Sequence, residues 1–79
     1  MIEKHSVTLA GHRTSVSLEA PFWAALREIA ATRGESVTTI IRRLDEARPK
    51  DGGGYNLSGA IRVFVLHELQ AALADATRP

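Results

Sequence analysis

The chain has 79 residues, with ten Lys and Arg against nine Asp and Glu and a net charge of +1. At 44% apolar it is one small folded domain, not a disordered tail, and its charge is far below that of a strongly basic nucleic-acid binder. It has no Cys, so neither a disulfide nor a thiolate zinc site can staple it. Twelve of its apolar residues are alanine, so few large side chains are available for a core. Such a chain is marginal alone, and an oligomer that shares its core is the expected remedy. No apolar stretch suited to a signal peptide opens the chain. The longest charge-free apolar run, Val63 to Leu66, is far short of a membrane span. A soluble, cytoplasmic protein without a membrane partner is expected. Its charge is uneven: residues 1–18 carry Lys4 and Arg13 against Glu3 and form the only net positive segment.

Two short runs open the chain, residues 4–9 and 12–18, both alternating polar and apolar with β-branched residues, as strands do. Their parities disagree: Val7 and Leu9 are odd, Val16 and Leu18 even. One straight strand would place these pairs on opposite faces. Either Gly11 forms a bulge that restores the face, or Ala10-Gly11 is a hairpin turn. Pro21 suits the first turn of a helix over 20–33, with Phe22, Ala25, Leu26 and Ile29 on one face and Trp23 and Ala30 on its flank. Gly34 stops it. Ser36 caps a second helix, 36–47, in which Val37, Ile40, Ile41 and Leu44 recur at helical spacing. Residues 48–54 read as a linker. A third helix spans 57–75, with Leu57, Ala60, Ile61, Phe64, Val65, Leu69 and Ala72 on one face and Val63, Leu66 and Leu73 elsewhere around it. A helix apolar on most sides wants cover on most sides, which points to a subunit interface.

A strand, Pro in the first helical turn, an amphipathic helix, Gly and a Ser-capped second helix follow the order of a ribbon-helix-helix domain. Residues 12–47 resemble that family throughout, and most of the chain resembles a bacterial branch of small stand-alone members. A third helix after a Gly-rich loop is an addition to the usual order. Asn56-Leu57-Ser58-Gly59-Ala60-Ile61-Arg62 itself resembles the opening of the usual second helix, with residues 35–55 then an insertion. The fold class implied is mainly α with a short N-terminal β-ribbon, an intertwined homodimer or higher oligomer. In the family two chains pair their strands, and the ribbon enters the DNA major groove. The resemblance implies a sequence-specific DNA-binding regulator, with duplex DNA and a second copy as partners. The alternative is an oligomeric scaffold or ligand-binding assembly of the same fold without DNA.

If Thr14, Val16 and Leu18 point inward, Arg13, Ser15 and Ser17 point outward. Arg can bond guanine bidentately and Ser either kind of base; a merely solvated strand face has the same pattern. Lys4 joins them as a cation. Ser36 and Thr38 at one helix start, or Asn56 and Ser58 at another, offer backbone N–H groups to a phosphate; ordinary capping explains either without one. The expected interface between copies comprises Val16, Leu18, Phe22, Ile40, Leu44, Ile61, Phe64, Val65 and Leu69. Glu68 falls on the apolar face of the third helix, where Arg62 or an Arg of another subunit would serve as partner. Asp45 and Glu46 lie close enough to neutralise Arg42 and Arg43. His5, His12 and His67 lack metal-ligand spacing, Gly52-Gly53-Gly54 has no following Lys-Ser or Lys-Thr, and no residue is read as catalytic. No metal or cofactor is expected.

Overall fold

The computed structural model describes residues 1–48 and 56–77. The linker expected over 48–54 therefore falls almost wholly outside the described residues. Strand β1 (Ile2–Leu9) runs antiparallel to β2 (His12–Glu19), with Val7 opposite Thr14 and His5 opposite Val16. Ala10-Gly11 is the turn, with φ of 51° and 82°. Positive φ at both central residues is the type I′ geometry, whose twist matches that of the strands. The turn resolves the parity conflict: reversing the chain brings Val7, Leu9, Val16 and Leu18 onto one buried face. β2 thus finds its partner within its own chain, whereas the resemblance implied pairing between two chains.

Helix α1 (Ala20–Arg33) follows directly, with Pro21 in its first turn. It ends at Gly34, whose φ is 69°. The Glu35 N–H bonds to the Ala30 carbonyl at 3.0 Å and the Gly34 N–H to the Ala31 carbonyl at 3.2 Å, a Schellman stop. Helix α2 (Val37–Ala47) is capped by Ser36, whose Oγ accepts from the Thr39 N–H at 3.0 Å. Helix α3 (Leu57–Ala76) is capped by Asn56, whose Oδ1 accepts from the Gly59 N–H at 2.7 Å. All three helices lie against the inner face of the ribbon. The core joins its four aliphatic side chains to Trp23, Leu26 and Ala30, to Ile40 and Ile41, and to Leu57, Ile61 and Val65.

Two expectations about helix faces need correction. In α1 the fully buried residues are Trp23, Leu26 and Ala30, while Phe22, Ala25 and Ile29 are half-buried. Trp23 is drawn inward by a polar handle, since its indole N–H donates to the Glu3 carbonyl at 3.0 Å. In α3 the apolar face is covered only over its first half: Leu69 is exposed, as are Leu66, Leu73 and Ala72. The helix is also long and apolar enough to cross a membrane by length and composition alone, with a mean hydropathy of 1.2. Counting only charge-free runs had missed this. Its first half is nonetheless a core helix, with Leu57, Ala60, Ile61 and Val65 buried.

Candidate nucleic-acid interface

Side chains alternate across a strand, and residues directly opposite share a face. The register therefore places Lys4 beside Ser17, Ser6 beside Ser15 and Thr8 beside Arg13 on the outer face of the ribbon. All are exposed except Ser17, which is half-buried. This face joins four of the residues expected to read nucleic acid, Lys4, Arg13, Ser15 and Ser17. Ser6 and Thr8 were not singled out from sequence, although the alternation of residues 4–9 carries the signal once the turn is known.

The charges on this face differ from those on the helices. Among the described residues, Lys4 and Arg13 have no carboxylate partner, as is also true of Arg27 and Arg42. Four helical or helix-flanking arginines are paired: Arg33 with Glu35 at 2.8 Å and Glu68 at 3.1 Å, Arg43 with Glu35, Arg48 with Asp45 at 2.6 Å, and Arg62 with Glu19. Glu19 sits at the end of the outer face, where a bare carboxylate would repel phosphate. The Arg62 guanidinium grips it with two bonds, at 2.9 and 3.2 Å, and holds its carboxyl below the ordinary 4.5. Its Coulombic attraction adds to that shift, and among the described residues the outer face keeps two cations without a carboxylate partner, with Glu19 neutralised.

Arg62 is thus occupied, and the partner of Glu68 is Arg33 of the same chain. Glu68 is only half-buried, so the desolvation expected of it is small. Arg33 also lies over the Phe64 ring, 5.8 Å from its centroid. Arg43 is neutralised by Glu35 and not by its own helix. The Glu35 carboxyl is held low by hydrogen bonds from Arg43 and then Arg33.

The two helix starts are placed differently. Ser36 spends its hydroxyl on Thr39, accepting from the N–H and donating to Oγ1 at 2.8 Å, and Thr38 is exposed beside it. Ser58 donates to the main-chain carbonyl of Ser17 at 2.7 Å, which ties the first turn of α3 to the ribbon. Of the residues expected between copies, Val16, Leu18, Ile40, Ile61 and Val65 are closed inside the chain's own core. Phe22, Leu44 and Phe64 are half-buried against it, and Leu69 alone of that set is exposed. No three His, Asp or Glu side chains come together as metal ligands among the described residues.

A family model for the ribbon-helix-helix domain matches residues 2–69, through both strands, α1 and α2 and into α3. The chain belongs to the ribbon-helix-helix family. That family is in general one of DNA-binding regulators, soluble and non-enzymatic. The solved structure of an uncharacterized protein from Bordetella pertussis Tohama I is 39% identical, with a TM-score of 0.75 over 100% of this chain and 63% of that one. This ribbon-helix-helix chain therefore spans less than two thirds of that neighbour's length. No curated protein matches it.

Proposed function

We propose that the chain is a cytoplasmic, sequence-specific DNA-binding regulator that inserts the outer face of its ribbon into the major groove. The observation that carries this reading is the composition of that face: Lys4 and Arg13 without a carboxylate partner among the described residues, hydroxyls between them, and Glu19 neutralised by Arg62. A two-stranded ribbon fits the major groove. Arg13 is the main reader, since Ser6, Thr8, Ser15 and Ser17 are short. Lys4 contacts phosphate. The start of α3 is favoured over that of α2 as a backbone anchor, because Ser58 holds it against the ribbon.

Selection from a random duplex pool tests this. Wild type is expected to enrich a defined sequence, and Arg13→Ala to lose about 1–3 kcal/mol per base contact without unfolding. Few cations are available, so the salt dependence should be shallow, near 0.9 in log–log slope per phosphate neutralised. A wild type that enriches no sequence and binds no better than Arg13→Ala contradicts the proposal. A scaffold that binds no DNA is the second reading, favoured by the exposed leucines of α3. It expects no salt-sensitive binding at all.

A further inference from the structure

Between α1 and α3 the packing is incomplete. A groove of about 260 Å³ runs between the two helices, and its apolar lining is Ala25 and Ile29 of α1 with Leu69 and Ala72 of α3. Two of these four side chains are alanines that stop at Cβ, which leaves space where larger ones would fill it. Leu69, in the wall, is 52% exposed, and Ile29 opposite is half-buried. An apolar body seated between them removes part of both from water, which favours binding. The volume lies just under the roughly 300 Å³ at which ligand pockets begin, so the groove suits a small molecule.

The polar lining selects the charge of that molecule. It consists of Glu28, Thr32, Arg33 and Glu68, two carboxylates against one guanidinium. The guanidinium is already committed: Arg33 donates to Glu35 at 2.8 Å and to Glu68 at 3.1 Å, and the second bond ties the two walls together. Glu28 is exposed and has no ion-pair partner among the described residues. Thr32, one turn further along the same face of α1, adds a hydroxyl acceptor beside it. An anion would meet a bare carboxylate here, and a neutral molecule would leave it unpaired. We infer that the groove binds a small amphipathic monocation: an organic ammonium whose short apolar body lies against Ile29, Leu69 and the two alanines while its charged end meets Glu28. None of these residues belongs to the outer face of the ribbon, so the inference does not depend on DNA being bound.

Three probes test it without DNA. Hexylammonium, hexanol and hexanoate share one apolar chain and differ in the charge of its end. Titrated at millimolar concentration into isotope-labelled protein, hexylammonium should move the amides of residues 25–33 and 68–72 together. It should bind up to about fivefold more tightly than hexanol, the range of one exposed ion pair, and hexanoate should bind least. Glu28→Gln should bring hexylammonium down to the level of hexanol, and Glu28→Lys should place hexanoate first. Ala72→Leu fills the groove without touching its charge and should abolish binding of all three. Glu28 and Ala72 are both exposed, so helical circular dichroism should be retained in every variant. Equal binding of the three probes by wild type, or no binding at all, overturns the inference. Hexylammonium binding that survives Ala72→Leu, or shifts confined to residues 66–73 with α1 silent, also overturns it, assigning the effect to the exposed leucines alone.

Discussion

The ribbon and the distal half of α3 both face outward, yet only one of them is finished. Val7, Leu9, Val16 and Leu18 are turned inward, and the outer face from Lys4 to Ser17 is hydroxyls and two cations, with Ile2 exposed at its end. Its turn, its pairing and its covered inner face all come from one chain. Distal α3 has the reverse character: a helix secured at its start by Asn56, Ser58 and Arg62 runs on to display three leucines. Exposed polar groups lose nothing to water, whereas exposed leucines represent burial not yet gained. The difference is why the proposed reading places DNA on the ribbon and leaves distal α3 out of that contact.

Truncation within α3 tests that contrast most strongly. Ile61→Ala, in the covered half, should destabilise by about 2–5 kcal/mol in chemical denaturation. Leu73→Ala, in the exposed half, should cost almost nothing at any protein concentration. Equal losses would erase the distinction between the halves. Next comes Gly34, held at φ 69° with open space around it. Gly34→Val should cost about 1–2 kcal/mol from backbone strain alone, and an unmoved midpoint would refute the left-handed stop.

How far these regions were legible follows from the range of the signals. Gly34, Ser36 and Pro21 act on their own helix ends, where local pattern reads them, whereas the start of α3 stayed open between Asn56 and Ser58 until Asn56 proved to be the cap. The two strands were equally plain, but their relation depended on whether Ala10-Gly11 bulged or turned, which alternation alone does not decide. Ser6 and Thr8 stayed hidden for that reason. Trp23 was set on the flank because helical angle ignores an indole N–H seeking the Glu3 carbonyl. The partners of Glu68, Arg62 and Arg43 were missed because each lies on another element, beyond the reach of spacing rules. Ile61 and Val65 were assigned to a partner because the capacity of the ribbon and α2 to cover them is a tertiary fact.

Two smaller effects sharpen the account of the ribbon. Ala10 occupies a left-handed position that favours Asn or Gly. Ala10→Asn should therefore stabilise by up to about 1 kcal/mol, while Ala10→Val destabilises; a melting series reads both. The smallest effect concerns acid. The folded-state pKa of Glu19 is depressed, so its pairing contributes fully above the ordinary 4.5 and is lost as pH falls through the lowered value. Arg62→Met keeps the apolar stem but removes the charge. It should flatten stability against pH in that acidic window and leave the neutral region little changed. Some slope will persist from Glu35, whose carboxyl is also held low.

The central claim is that the outer face of the ribbon meets DNA while distal α3 stays clear of it. Amide chemical-shift mapping of the protein titrated with its selected duplex tests this most directly, because both surfaces are observed in one sample. The account predicts shifts concentrated at Lys4, Ser6, Thr8, Arg13, Ser15 and Ser17, with residues 66–73 unmoved. Shifts centred on residues 66–73, with the outer face of the ribbon silent, would contradict it.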